Sequence, residues 1–192
     1  MVFTLLPLTG CNTAGGVRYY LLDSVNQPGG DTPTTAGKAA QQMPRVGIGP
    51  LALADYLQRA NIVTREQANR VKVSPNHKWA EPLEKGMLTA LANDLESRLG
   101  NQPVAVHPWP PGTQLDYQIR LDVSRYIADT EAVELHVRWQ LASATGRGIT
   151  GGSSDIREPL PGPGYDEVVA AMSRALGKLA DELAAATFAA HR

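Results

Sequence analysis

The sequence predicts an α+β fold in which a mostly antiparallel sheet is packed on one side by two long helices. Two segments, 116–124 and 133–141, alternate strictly between polar and apolar residues. This alternation is typical of strands with one buried and one solvated face. Two other segments, 82–100 and 165–189, carry apolar residues at helical spacing instead. Packing such helices on the apolar face of the sheet gives the α+β class.

One apolar stripe marks each predicted helix. Pro82 suits the first turn of the first helix and Gly100 suits its end. Between them an apolar residue recurs at every fourth position: Leu83, Met87, Leu91, Leu95 and Leu99. The apolar face of the second helix comprises Val169, Met172, Leu176, Leu179, Leu183 and Ala186.

The remaining elements follow from shorter patterns. The runs 18–22 and 46–51 are predicted strands, and Pro50 places the second near a sheet edge or a bulge. Segments 62–64 and 70–74 predict a hairpin, 116–124 and 133–141 predict a second, antiparallel hairpin, and 149–157 is a weak strand. Residues 26–44 hold three prolines and three glycines without apolar period, which predicts a long loop.

Composition limits the classes of function. A chain of 192 residues is long enough for one domain with a substantial core. The formal net charge of −1 gives no electrostatic reason to expect nucleic acid as a partner. No apolar run reaches the ~20 residues that a spanning helix needs. We therefore expect residues 12–192 to form one soluble domain, attached to a membrane only through the N-terminus.

The N-terminus predicts lipidation. Residues 1–8 are apolar and uncharged, and Leu8-Thr9-Gly10-Cys11 matches the bacterial lipobox, in which the cysteine sulfur receives diacylglycerol. Cys11 is the only cysteine of the chain, so a disulfide within the chain is excluded. Several acyl chains, such as palmitate, on one residue satisfy the requirement for stable anchoring. A free cysteine in the N-terminal segment is the simpler alternative.

The lipobox predicts more than attachment. Asn12, rather than Asp, follows the cysteine, which favours the outer over the inner membrane. Signal peptides run about 15–30 residues and open with positive charge, whereas only ten uncharged residues precede Cys11. We therefore treat 1–11 as a truncated signal peptide and lipobox, and expect the true start to lie upstream or to have been trimmed.

Catalytic patterns are absent from the sequence. It contains no G-x-S-x-G motif, and the glycine-rich run 146–152 lacks the G-K-[ST] ending of a phosphate loop. The four histidines form no i, i+4 pair of the kind that binds metals. Glu81 and Glu84 are explained by the dipole at the start of a helix. We therefore predict no catalytic residue, no metal site and no cofactor.

Two tryptophans are candidates for partner contact. Trp79 directly precedes the first helix, where a core anchor is favoured over an exposed interface anchor. Trp109 lies among prolines in the stiff loop 107–111, where it either contacts a partner or covers the sheet edge. Of Tyr19 and Tyr20, strand alternation places one inside and one outside.

These pieces together resemble the ABC-type transport auxiliary lipoproteins, a family that includes the PqiC-like intermembrane-transport lipoproteins. The resemblance covers nearly all of the body and contains no catalytic motif. Its most specific element is Trp79-Ala80-Glu81-Pro82-Leu83 following Tyr56-Leu57-Gln58-Arg59. The other matching segments are Leu8-Thr9-Gly10-Cys11, 18–22, 46–50, 54–55, 62–65 and 117–123.

The resemblance implies an accessory protein anchored to the periplasmic face of the outer membrane. Such proteins work beside a substrate-binding protein of the mammalian-cell-entry (MCE) type, an inner-membrane permease and sometimes an ATPase, which move lipid or other apolar molecules between membranes. The implied mechanism is docking of the tethered body to the MCE partner. The resemblance also implies that Tyr56, Trp79, Glu81 and Pro82 matter, for folding or for contact. Since these partners are oligomeric, a homo-oligomer is also allowed.

Three other functions remain open on the sequence. The chain could be a periplasmic hydrolase whose site would bring His77 and Glu81 together in a deep pocket. It could be a lipoprotein that assists outer-membrane assembly, which shares the anchor and differs only in its partner. It could also carry lipid directly, which would require an apolar cavity between the sheet and the helices.

Overall fold

The computed structural model describes residues 16–25, 43–143 and 145–192. The predicted signal segment, the lipobox with Cys11 and residues 26–42 of the predicted loop lie outside these ranges. The elements are β1 Arg18–Tyr20, β2 Val46–Leu53, a 3₁₀ turn Asp55–Leu57, β3 Asn61–Gln67, β4 Arg70–Trp79, α1 Leu83–Arg98, β5 Ala105–Val106, β6 Tyr117–Ala128, β7 Ala132–Ser143, β8 Gly148–Pro159 and α2 Tyr165–His191.

The described strands form one eight-stranded sheet. Six strands are hydrogen-bonded in the order β1-β4-β3-β6-β2-β5. Off this path, β7 pairs with both β6 and β8. Among these strands the three long ladders, β3–β4, β6–β7 and β7–β8, are antiparallel. The short ladders β1–β4, β2–β5, β2–β6 and β3–β6 are parallel. The sheet is therefore mixed, and antiparallel pairing accounts for most of its length.

The hairpin of β6 and β7 forms the centre of the sheet because both strands present an apolar row to the same side. Ile119 pairs with Leu141, and Val123 pairs with Val137. All four side chains are buried. The alternating positions carry charged and polar side chains on the opposite face, among them the exposed Arg120. This confirms the predicted hairpin and its two unlike faces.

Both helices cover the apolar face of the sheet. The predicted stripe of α1 is buried from Leu83 to Leu99. In α2 the predicted face is buried except for Ala186, which is half-buried. α1 packs on β2 and β5, α2 packs on β6, β7 and β8, and the helices pack on each other. The α+β class with two helices on the sheet is confirmed.

Most strands differ from the prediction in length, and the sequence did not predict β5. β4 and β6 run five and four residues beyond their predicted ends. β1 ends at Tyr20, two residues early. β2 contains the bulge that Pro50 indicated, because its register with β6 shifts between Ile48 and Leu51. β8 is a full 12-residue strand although its first half is exposed. The predicted strand 149–157 lies within it, and its pattern was weak because a strand that hydrogen-bonds at an edge needs no buried side chains there.

None of the helices in the described ranges is both long and apolar enough to span a bilayer.

Candidate functional site

An open cleft of about 650 Å³ lies between the end of β2 and the junction of β4 with α1. We call it the junction cleft. It brings together segments from Leu51 to Glu84, including all five residues of the motif Trp79–Leu83. Its lining comprises Leu51, Ala52, Leu53, Gln58, Arg59, Ala60, Trp79, Ala80, Glu81, Pro82, Leu83 and Glu84.

Backbone hydrogen bonds fix the shape of this junction. The Trp79 N–H donates to the Ala60 carbonyl at 2.7 Å, and the Ala80 N–H donates to the Tyr20 carbonyl at 2.8 Å. Pro82 then precedes the first residue of α1 with φ −51° and ψ 129°. Proline suits this place because its fixed φ agrees with the start of a helix and its missing N–H would have no partner there. The motif therefore turns the chain from strand to helix.

Trp79 anchors the junction from the inside. Its side chain is only 7 % exposed and belongs to the hydrophobic core. It borders a small internal cavity of about 10 Å³ together with Tyr126 and Met172. Trp79 therefore anchors the end of β4 in the hydrophobic core, and a partner at the cleft would contact mainly the neighbours of Trp79.

Charged side chains surround the mouth of the junction cleft. The Glu81 carboxylate contacts the Lys85 ammonium at 3.1 Å, one helical turn away. Arg59 and Glu84 are exposed and form no ion pair with any residue in the described ranges. The cleft thus presents a free cation and a free carboxylate around an apolar floor, an arrangement suited to a polar peptide segment with an apolar anchor.

Tyr56 lies elsewhere, outside the cleft lining. It belongs to the 3₁₀ turn and lies near charged residues on the face of the sheet opposite the helices. Glu134 contacts three guanidinium groups there, those of Arg65 at 3.1 Å, Arg125 at 3.3 Å and Arg157 at 3.2 Å. We call Glu134 and these arginines the arginine cluster.

The electrostatics of Tyr56 follow from this position. Burial of the phenol raises the pKa of Tyr56, while a backbone hydrogen bond with Tyr126 and the charges of Arg125 and Arg65 oppose the rise. Because its pKa is raised, the Tyr56 phenol stays neutral and can form hydrogen bonds beside the positive charges of Arg125 and Arg65. This arrangement can bind a polar partner surface, since each arginine presents several N–H donors in a planar fork.

Trp109 occupies a third place. Its ring lies over Gly47 of β2, where a Cβ would approach the ring to 3.0 Å, and it meets the ring of His107 edge-on at 5.2 Å. The indole is half-buried. Trp109 thus covers the solvent face of β2 near the β5 edge and leaves part of its ring for contact.

His77 and Glu81 are not brought together. The His77 ring stacks on Tyr165 of α2 with 3.8 Å between centroids, and its Nδ1 lies 2.8 Å from the Ser74 hydroxyl. Neither His77 nor either of these partners lines the junction cleft. The described residues contain no group of three or more His, Cys, Asp or Glu that could hold a metal ion.

The sequence reasoning missed the arginine cluster. Its members come from β3, β6, β7 and β8. Alternation places Glu134 on the solvated face of its strand, which is the only local signal. The meeting of Arg65 with Glu134 depends on the parallel pairing of β3 with β6, through Thr64 and Ala128, and no periodicity predicts a pairing partner.

Comparison with protein families identifies the class of protein. The model of the ABC-type transport auxiliary lipoprotein component family matches residues 20–184, from β1 to the last third of α2. The chain belongs to this family, which confirms the resemblance seen in the sequence. Membership places it among membrane-associated lipoproteins that serve ABC-type transport.

Solved structures agree at the level of the fold. An uncharacterized protein superposes with a TM-score of 0.69 at 20 % identity, covering 88 % of this chain and 97 % of its own. Protein XCC0632 from Xanthomonas campestris, of family DUF330, gives 0.66 at 18 % identity, with 79 % and 87 % covered. No curated protein matches the chain in sequence.

Proposed function

We propose that the chain is a periplasmic accessory lipoprotein, anchored to the outer membrane through Cys11, that docks to an MCE-type substrate-binding protein of an intermembrane transport system. The system moves lipid or other apolar molecules. The observation that carries this proposal is the family match over residues 20–184. This range includes the junction cleft and the arginine cluster. The body contributes contact rather than catalysis.

The packing of the core supports docking over carriage of lipid by this domain. The side chains between the sheet and the helices are buried against each other. The internal cavity beside Trp79 and Tyr126 is about 10 Å³. This is near the minimum space for a single water molecule and far below the volume of an acyl chain.

The junction cleft is the surface that best fits a docking segment. It is open, has an apolar floor, and presents Arg59 and Glu84 without ion-pair partners among the described residues. The separation of His77 from Glu81 removes the arrangement that would have favoured a hydrolase.

The first experiment is affinity purification from detergent-solubilised native membranes, with mass spectrometry of the proteins recovered. We expect an MCE-type protein and its permease. Recovery of barrel-assembly or lipopolysaccharide machinery would move the chain to the assembly class. Recovery of no partner would contradict docking and restore the hydrolase as the alternative.

A charge reversal locates the contact. Glu84→Arg should reduce recovery of the partner severalfold because it inverts the charge at the cleft mouth. Asp166→Arg is the matched control, since Asp166 is also an exposed acidic residue in a first helical turn but lies outside the cleft. Both changes cost the helix a similar dipole interaction. Equal loss in the two variants would contradict docking at the cleft.

A further inference from the structure

Exposed apolar side chains are concentrated at one corner of the sheet. Val17, Tyr19 and Leu21 are 46 %, 65 % and 57 % exposed; Tyr19 lies in β1, and Val17 and Leu21 directly flank that strand. Val71 and Val73 on the neighbouring β4 are 47 % and 41 % exposed. We call these five residues the β1 patch. It holds five of the eight exposed large apolar side chains of the described residues.

The strand register places the patch on the solvent face of the sheet. Tyr19 pairs with Lys78 of β4, and Lys78 pairs with Asn61 of β3. A register shift in β4 then places Val73 opposite Val63, so Val73 points to the same side as Lys78 and Tyr19. Val71 pairs with Arg65 of β3. Arg65 reaches Glu134 on the face opposite the helices, which identifies that side. β1 is an edge strand, so no described strand pairs with its outer edge.

The distance along the chain to the proposed anchor is short. Six residue steps separate Cys11 from Val17. A chain advances at most about 3.3–3.6 Å per residue, so an acylated Cys11 keeps Val17 within roughly 20 Å of the lipid surface. Among the described elements β1 is therefore the one tethered most closely to the membrane, whatever path the intervening residues take.

The chemistry of the patch fits a bilayer interface. Tyrosine is enriched at the headgroup level, where an apolar ring and a polar tip are both satisfied. Lys78, the cross-strand neighbour of Tyr19 on the same face, forms no ion pair with any residue in the described ranges. Unpaired cations beside apolar side chains attract anionic headgroups.

We propose that the β1 patch is a membrane-contact surface that rests on the headgroup region of the bilayer when the chain is tethered at Cys11. The inference rests on the proposed anchor and deepens it, because contact through β1 would give the tethered body a fixed orientation on the bilayer. A second copy of the chain or a protein partner on the patch is the competing outcome.

The test places a reporter in the patch. The full chain is coupled through its single thiol, Cys11, to a maleimide lipid in vesicles of phosphatidylethanolamine and phosphatidylglycerol. Tyr19→Trp supplies the reporter, and brominated acyl chains quench indoles that reach the interface. Ile149→Trp is the matched control, since Ile149 is an apolar strand residue, 43 % exposed, on the distant strand β8. The unsubstituted chain gives the background of the three native tryptophans.

We expect brominated lipid to quench the added fluorescence of Tyr19→Trp at least twofold more than that of Ile149→Trp. Equal quenching at the two positions would overturn the proposal. Protection of Tyr19→Trp from aqueous acrylamide without quenching by brominated lipid would also overturn it, because a protein surface would then cover the patch. Circular dichroism verifies that each variant is folded.

A second variant makes the result independent of the reporter. In the chain coupled to vesicles through Cys11, Tyr19→Ser combined with Leu21→Ser should remove the slowing of amide hydrogen exchange in β1 that coupling produces in the unsubstituted chain. Equal slowing in the two chains contradicts membrane contact. The vesicle experiments attach Cys11 chemically, so they test the β1 patch whether or not the cell acylates Cys11.

The proposed anchor is tested separately by the intact mass of the chain isolated from native membranes, which should show the added acyl groups.

Discussion

Glu158 shows at the residue scale how a buried carboxylate can stabilise the fold. Its side chain is 8 % exposed and contacts Arg174 at 2.7 Å and Lys178 at 2.6 Å. Burial by itself would raise the pKa of Glu158, but the hydrogen bonds from Lys178 and Arg174 outweigh it and hold the pKa below its ordinary value of 4.5. The ion pairs link the end of β8 to α2.

The first prediction concerns the acid sensitivity of this link. A carboxyl group with a lower pKa in the folded state stabilises fully above its unfolded pKa, and the contribution is lost as pH falls below 4.5. Glu158→Gln should lower the free energy of unfolding at pH 7 by about 1–2 kcal/mol, a modest loss because both cations are partly solvated. Urea titrations at several pH values measure this.

The difference between Glu158→Gln and the unsubstituted protein should shrink as pH falls below 4.5. The control is Glu131→Gln, whose carboxylate is 80 % exposed beside Arg157 and should change stability by less than about 0.5 kcal/mol. A pH-independent difference for Glu158→Gln would contradict the assignment.

Tyr126 is the opposite case, a buried polar group without compensation. Its hydroxyl is buried and has no hydrogen-bond partner among the described residues, and burial raises the pKa of Tyr126 well above its ordinary value. The second prediction is that Tyr126→Phe is neutral or raises the free energy of unfolding by up to about 1 kcal/mol, because an unpaired hydroxyl is then removed. Chemical denaturation measures the difference.

The comparison variant is Tyr56→Phe. The Tyr56 phenol is half-buried and has a backbone hydrogen bond with Tyr126. Its removal should lower the free energy of unfolding by about 0.5–1.5 kcal/mol. A loss greater than about 1 kcal/mol in Tyr126→Phe would instead mean that water in the adjacent cavity satisfies the hydroxyl.

At the scale of elements, the segment after β1 crosses both helices. The Ser24 hydroxyl donates to the buried Asp94 of α1 at 2.9 Å, and the Asp23 N–H donates to the Ser173 hydroxyl of α2 at 3.1 Å. Val25 lies over Gly177, where a Cβ would approach the valine methyl to 2.8 Å. A glycine in mid-helix is therefore required by the close approach of this segment.

The third prediction tests that contact. Gly177→Ala should favour the helix by up to about 1 kcal/mol but displace Val25. The melting temperature should change little, while amide hydrogen exchange at residues 23–25 should become faster. Ala175→Gly, another buried position of α2, is the reverse control: it should lower the melting temperature without this exchange change. Unchanged exchange in Gly177→Ala would show that the segment does not depend on the glycine.

At the scale of the whole molecule, stability is concentrated in β6, β7 and α2. The two strands are each 12 residues long and lie beneath the 27-residue helix α2. β1 and β5 have three and two residues and pair in short parallel ladders. Opening free energies within one protein range from near zero at such ends to the global value in the core.

The fourth prediction follows from this distribution. Hydrogen exchange of the folded chain should show the slowest amides in β6, β7 and the middle of α2, and the fastest amides of the described strands in β1 and β5. Exchange of β1 should slow when the chain is tethered to vesicles, if the membrane covers the β1 patch. Uniform protection of all strands would contradict the unequal distribution.

The sequence by itself determined the two helices and the β6–β7 hairpin, together with their buried faces. Alternation from Ile119 to Val123 and the stripe from Leu83 to Leu99 predicted both, because a side chain's direction depends only on its place in a strand or helix. The motif Trp79–Leu83 and the family were also predictable without coordinates, since they rest on short contiguous segments of sequence.

Only the tertiary structure decided which distant segments meet. The parallel pairings of β1 with β4 and of β2 with β6 helped to bring Leu53, Arg59 and Glu84 around one cleft. The pairing of β3 with β6, beside the ladders of β6, β7 and β8, gathered three arginines on Glu134. The tertiary structure also placed Tyr56 and Trp109 outside the junction cleft. The sequence had offered both as candidates together with the motif that lines the cleft. Periodicity states which face of an element is buried, whereas pairing is set by the packing of the whole chain.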